Sequence, residues 1–363
     1  VGKNIVICCD GTGNEFGDRN SNVVKLFATL VLDPRTQVAY YDPGIGTMGA
    51  NNALTKIGKW FTKVLGLAFG YGLLDNVGDA YRFLMLNWEP DDRLYLFGFS
   101  RGAYTVRVLA SMLHLFGLLP RDNEQLTPYI LRSLKRMDDD GEALARQFKR
   151  VFSLECKPHF VGVWDTVSSV GWIMDPLTVR YSANNPDIYI GRHAISIDER
   201  RCFFRQNLWG APVQGQNYKQ VWFAGVHSDI GGGYLERESG LAKVTLQWMI
   251  AEAKAAGLLV NDPMVEEVLG RSAGSAYAPI DACGIMHDSM CGAWKILEYI
   301  PRRYWNRDLP PPGYEWILYR KRPRSIPEHA VLHQAVVDRK NDPKTRYNPP
   351  NLPARYGVEP WSA

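Results

Sequence analysis

Five polar residues able to do acid–base or nucleophilic chemistry stand directly after short apolar runs. They are Asp10 after NIVICC (4–9), Asp42 after QVAYY (37–41), Ser100 after RLYLFGF (93–99), Asp165 after HFVGVW (159–164) and His227 after QVWFAGV (220–226). A Ser, an acid and a His in such positions are what acyl transfer requires. A hydroxyl is a poor nucleophile until a base takes its proton, and the base needs an acid to hold its tautomer. Ser100 lies in Gly98-Phe99-Ser100-Arg101-Gly102, between an expected strand and an expected helix, which is the setting of a nucleophile elbow. The glycines allow the sharp turn, and the helix N-terminus offers N–H groups and a positive dipole end to an oxyanion. The N–H of Arg101, with one from Gly11 or Thr12 in the early Asp10-Gly11-Thr12-Gly13-Asn14 turn, is the expected oxyanion hole.

Chain order admits two triads. Ser100, Asp165 in VWDTVSSVG and His227 in GVHSDIGGGY follow the Ser…Asp…His order of α/β-hydrolases. Ser100, Asp229 and His287 in MHDSMCG keep the same order and form the rival set. A third arrangement uses no serine: Asp10, Asp165, His227 and Asp229 at strand ends are donors of the kind that hold metal ions in phosphohydrolases. It leaves GFSRG without a purpose. The six cysteines show no zinc-ligand spacing, the Asp10 turn lacks the lysine of a P-loop, and the acyl-transfer reading calls for no metal and no cofactor.

These residues need elements to carry them. The five runs are short, β-branched or aromatic and almost continuously apolar, as strands buried on both faces are. Helical periodicity lies between them. Leu73, Leu74, Val77, Tyr81 and Leu84 line one face; Val106, Leu109, Ala110, Leu113 and Phe116 line a second, ending at Gly117; a third begins at Leu241. Alternation of this kind predicts an α/β fold with a mostly parallel central sheet flanked by helices. The expected organisation is a core over 1–257 with insertions at 121–152 and 171–219. A C-terminal cap or subdomain over 258–363, rich in turns and prolines, packs on it.

Composition limits the partners. With 46% hydrophobic and 22% charged residues the 363-residue chain is an ordinary globular one, not disordered and not a coiled coil. A net charge of +4 is too small to argue for nucleic acid. No run approaches the ~18 apolar residues of a membrane-spanning helix, and the opening VGKNIVICC lacks signal-peptide architecture. The expected location is therefore cytoplasmic, with export by a signal-less route open. Residues 301–346 interleave Tyr304, Trp305, Tyr314, Trp316 and Tyr319 with Arg302, Arg303, Arg307, Arg320, Lys321, Arg322 and Arg324, a pattern suited to contact with an anionic lipid surface. KIGKWFTKVLGLAFGYGLL (56–74) reads as a lid over an acyl pocket or as a buried connection.

The segments CCDGTGNE, YDPGIGT, GFSRGAYTVR, GVWDTVSSVG and GVHSDIGGGY, in that order over about 1–257, resemble the α/β-hydrolase family that includes the first class of bacterial type VI secretion phospholipase effectors. The resemblance implies an α/β-hydrolase-like fold. It also implies that the Ser of GFSRG, the Asp of WDT and the His of HSD, which are Ser100, Asp165 and His227, form the triad. The expectation is a serine hydrolase of carboxylic esters, of the esterase, lipase or phospholipase type, acting on lipid-like acyl esters. The alternatives are a lipid- or protein-binding module without activity and the metal-dependent phosphohydrolase.

Overall fold

The computed structural model describes residues 2–11, 17–44, 72–135, 137–167, 171–172, 175–176, 179–290, 294–299, 301–306, 313–318 and 320–362. All five apolar runs form strands: β1 (Asn4–Cys9), β2 (Gln37–Asp42), β3 (Arg93–Phe99), β4 (Pro158–Trp164) and β8 (Asn217–Phe223). Between β4 and β8 come the short pair β5 (Gly171–Trp172) and β6 (Asp175–Pro176), then a full strand, β7 (Ile190–Ser196). The C-terminal part adds β9 (Arg302–Asn306), β10 (Gly313–Ile317), β11 (Val331–His333) and β12 (Gly357–Glu359).

Eight of these strands make one sheet in the order β12-β11-β8-β7-β4-β3-β1-β2, and every pairing in it is parallel. Burial on both faces explains the run composition. In β1, Ile5, Ile7 and Cys9 pack with α2 (Leu73–Asn87) and α3 (Arg101–Phe116) on one side. Val6 and Cys8 pack with α1 (Asn22–Thr29) and the later helices on the other. The helical stripes fall where the periodicity placed them: Leu73, Val77, Tyr81 and Leu84 are buried, and α3 stops at Gly117, whose φ of 69° suits glycine.

The 121–152 insertion is a 3₁₀ turn followed by α4 (Thr127–Lys135) and α5 (Asp139–Phe152), packed against α3. Past β8 come α6 (His227–Gly231), α7 (Gly240–Ala255), α8 (Asp262–Val268), α9 (Trp294–Leu297) and α10 (Gln334–Asn341). Beyond residue 257 the chain supplies β11 and β12 to the far edge of the sheet, where Leu332, Val336 and Tyr347 join Ile195, Ile197 and Trp222 in a third apolar cluster. Residues 56–71 of the lid-like segment lie outside the described residues, as do Arg307, Tyr319 and the side chains of Arg302, Arg303, Tyr304, Trp305 and Tyr314.

The strand order reverses beside β1: the chain runs out to β2 on one flank and returns to β3 on the other. Ligands of open parallel sheets gather at the carboxyl ends of strands at such a switch. Asp10, Gly11 and Ser100 all stand there.

Candidate active site

Ser100 is held between β3 and α3 with φ 59° and ψ −116°, a conformation costing about 1–3 kcal/mol for a non-glycine residue. The flanking glycines permit it through close approach. A Cβ on Gly102 would come within 2.1 Å of the Cys9 carbonyl oxygen, and one on Gly98 within 2.5 Å of the Gly102 carbonyl oxygen. β1, β3 and the first turn of α3 can therefore meet only if both positions lack side chains. The Ser100 N–H donates to the Trp164 carbonyl at 3.0 Å, tying the turn to the end of β4.

Asp165 follows β4 immediately and also has a positive φ, 41°. His227 does not directly follow its strand: β8 ends at Phe223, and a three-residue turn brings His227 to the start of α6. The three side chains converge. His227 Nε2 lies 2.8 Å from Ser100 Oγ, and His227 Nδ1 lies 2.5 Å from Asp165 Oδ2. The ring is wedged between Phe99 and Phe204, with centroids 4.7 and 4.8 Å away.

Asp165 is fully buried, and burial alone would raise its pKa. The charge of Arg324 and the bond from His227 overcome this and hold the carboxyl well below the usual range. Its Oδ1 accepts the Ser196 N–H at 2.9 Å and Arg324 Nη1 at 2.5 Å; its Oδ2 accepts Arg324 Nη2 at 2.9 Å besides the imidazole. For His227, burial is the largest influence and pulls the imidazole below its ordinary value despite the Asp165 bond. A neutral ring next to a serine hydroxyl is the state a general base needs.

Two residues of this site escaped the sequence reading. Arg324, grouped there with surface cations, is buried at 1% exposure. Glu199 accepts the His227 N–H at 3.2 Å and is held by Arg201 and by Ser289 Oγ, with Arg201 pulling its pKa down to about 2 against the effect of burial. A charged run such as DERR (198–201) signals solvent, so nothing local marks Glu199 as buried.

The other expected residues fall as follows. Arg101 opens α3, whose first-turn N–H groups have no carbonyl inside the helix to receive them. Gly11 backs onto the nucleophile: a Cβ there would meet Ser100 Cβ at 3.3 Å. Its N–H, however, donates to Asp10 Oδ1 at 2.7 Å. Thr12 lies outside the described residues. Asp10 holds the turn, accepting also from Ser21 Oγ and Tyr41 Oη. Asp42 accepts from Gly44 and Asn76.

Asp229 and His287 pair with each other, Oδ1 to Nδ1 at 2.7 Å, and His287 Nε2 faces Glu238 at 3.4 Å, so neither bonds to Ser100. Among the described residues no three His, Cys, Asp or Glu side chains gather as a metal-binding group. No described helix is long and apolar enough to cross a membrane.

Comparison with known proteins adds a family to this geometry. The family model for the T6SS phospholipase effector Tle1-like catalytic domain matches residues 3–252. An uncharacterized protein of Saccharomyces cerevisiae, YEL023C, is 37% identical over 222 residues, 56% of this chain and 32% of that protein. A crystal structure of an uncharacterized protein from Pseudomonas aeruginosa is 19% identical with a TM-score of 0.42, over 73% of this chain and 47% of its own. The structure of the Tle1 effector bound to the VgrG spike of the type VI secretion system is 20% identical with a TM-score of 0.36, over 66% and 53%. The chain thus spans about a third of the curated relative and about half of each solved chain.

Proposed function

The chain belongs to the family of Tle1-like phospholipase effector catalytic domains, and from that premise we propose that it is a serine hydrolase of carboxylic esters carried on lipid acyl chains. The observation that carries the reading is the continuous relay from Ser100 Oγ through His227 to Asp165, with gaps of 2.8 and 2.5 Å. Ser100 Oγ attacks the ester carbonyl carbon while His227 Nε2 takes the hydroxyl proton. The imidazolium formed is stabilised by Asp165, and its proton then leaves with the alcohol of the substrate. Water, deprotonated by the same His227, releases the acyl group from Ser100 and restores the serine.

The Arg101 N–H receives the charge that develops on the carbonyl oxygen, and the second donor is the N–H of Gly11, on releasing Asp10 Oδ1, or that of Thr12. Phe204, beside His227 and with Trp294 edge-on at 5.4 Å, carries the Arg201 guanidinium over its ring at 3.6 Å, so this side of the site is aromatic and cationic. Arg320, Lys321 and Arg322 are exposed on the turn that leads to Arg324, and this is the part of the basic C-terminal segment we assign to anionic lipid headgroups.

The test is labelling with a fluorophosphonate probe followed by peptide mapping, beside hydrolysis of a p-nitrophenyl ester series and of neutral and anionic phospholipid vesicles. A single adduct on Ser100, acyl-length dependence and faster attack on anionic vesicles are expected. Ser100→Ala abolishes labelling and lowers turnover by about 10⁴-fold or more with an unchanged melting temperature. Turnover retained by Ser100→Ala sinks the mechanism.

A further inference from the structure

We infer that Arg324 is a positioning residue for the Ser100–His227–Asp165 relay: it fixes the Asp165 carboxylate in place and, by neutralising it, limits how strongly His227 holds a proton. The inference rests on the serine-hydrolase reading of the relay and adds to it a part supplied from outside residues 3–252, the range the family model matches.

The geometry is that of a fork on a carboxylate. Both guanidinium Nη atoms reach Asp165, one to each oxygen, at 2.5 and 2.9 Å, in a site where both side chains are fully shielded from water. Nη1 also donates to the Ser196 carbonyl at 3.1 Å, and Nη2 donates to that of Phe204. A planar fork of this kind fixes orientation as well as charge, which an ammonium cannot do.

The backbone carrying Arg324 is itself held. Arg205 donates to the carbonyls of Arg322 and Pro323, Gln206 Nε2 to that of Ser325, and Asn351 Nδ2 to that of Arg324 at 3.0 Å. Glu298 ties the preceding turn by accepting the N–H groups of both Lys321 and Cys202. Cys202, Arg205 and Gln206 belong to the loop that follows β7, so the segment that carries Arg324 is locked against the wall of the site.

The electrostatic consequence follows from the groups around the ring. Asp165 faces His227 Nδ1, Glu199 faces its backbone N–H, Arg201 bonds that same Glu199 oxygen and stacks on Phe204, and Arg324 lies across Asp165; Asp229, on the same helix, is turned to His287. Asp165 and Glu199 favour a proton on the imidazole; burial, the largest influence, and Arg201 oppose it, while Arg324 acts on the Asp165 carboxylate itself.

The experiment starts with the wild-type chain, fluorophosphonate labelling of Ser100 and the pH dependence of kcat/KM, and repeats both in Arg324→Gln and Arg324→Lys. His227 is followed separately by the NMR titration of its ring. In Arg324→Gln the acid limb and the ring midpoint move up by about one pH unit, since removing the cation favours imidazolium. The plateau kcat falls by about 10²-fold as the acid loses its fixed orientation. Arg324→Lys keeps the limb in place and lowers only kcat.

A wild-type chain that neither labels nor hydrolyses esters overturns the hydrolase reading and this inference with it. A labelled, active wild type with an Arg324→Gln variant that melts normally but shows neither shift overturns the role of Arg324 alone. If Arg324→Gln does not fold, Arg324→Lys decides: an unchanged kcat overturns the inference, and a lowered kcat with an unmoved acid limb supports it.

Discussion

Two Asp–His pairs meet at α6, one built on His227 at its start and one on Asp229 two residues later. Both use the same contact, Nδ1 to a buried carboxylate, at 2.5 Å in Asp165–His227 and 2.7 Å in Asp229–His287. They part at the other nitrogen. His227 Nε2 meets a hydroxyl, that of Ser100, inside an aromatic wedge of Phe99 and Phe204. His287 Nε2 meets a second carboxylate, Glu238, and its ring lies flat on Tyr234 at 3.5 Å, partly open to solvent. Burial opposes charge on both rings. It prevails at His227, whose pKa is lowered, and is outweighed at His287, where Asp229 and Glu238 raise it. An Asp–His pair is therefore not a base by itself; a proton acceptor needs a neutral ring and a nucleophile on its far side. The Asp229 pair fits a structural clasp, with Oδ2 capping the Val226 N–H at the start of α6 and accepting the His287 N–H.

The contrast breaks most directly if the two histidines are removed one at a time. His227→Ala is expected to lower kcat/KM for an ester substrate by about 10⁴-fold, and His287→Ala by less than about tenfold. Comparable losses in both would dissolve the distinction. The acids follow the same logic with a smaller margin. Asp165→Asn leaves the wrong tautomer facing Ser100 and lowers kcat by about 10³–10⁴-fold. Asp229→Asn is expected to cost about 1–3 kcal/mol of stability through the weakened cap and ring bond, read as a lower melting temperature with kcat changed by only a few-fold.

Much of this site was legible because strands buried on both faces must end abruptly. The residues after NIVICC, RLYLFGF and HFVGVW stand out for that reason, and GFSRG carries a steric demand that leaves a mark in the sequence: two glycines whose Cβ atoms would strike β1 and the helix. β7 was not legible. Its IGRHAIS sequence places Arg192 and His193 in the middle of a buried strand, tolerable because Arg192 is paired with Glu252 at 2.5 Å across a distance in sequence that no local pattern encodes. Arg324 failed to announce itself for the same reason. Among exposed Arg320, Lys321 and Arg322 it reads as one more surface cation, and only the topology that returns residue 324 to a carboxylate 159 positions earlier reveals otherwise. Telling the two Asp–His pairs apart likewise needed coordinates, since chain order says nothing about which nitrogen faces which oxygen.

The finest separation between the two pairs lies in how each histidine links stability to pH, and the signs are opposite. His287 has a raised pKa in the folded chain, so it favours folding when protonated; that contribution is fully present below about pH 6.5, the unfolded value, and is lost as pH rises through the higher folded value. His227 has a lowered pKa, so folding favours its neutral form; its contribution is present above about pH 6.5 and is lost as pH falls through the folded value. Melting temperatures measured against pH in wild type, His287→Gln and His227→Gln check this directly. His287→Gln is expected to remove a decline in stability on the alkaline side, and His227→Gln to remove a decline on the acid side. Each effect is about a degree or a few, because one histidine contributes on the order of 1 kcal/mol against the unfolding entropy of a chain this long. If His287→Gln instead flattens the acid side, its ring is held neutral in the folded protein, and the two pairs differ in position but not in charge.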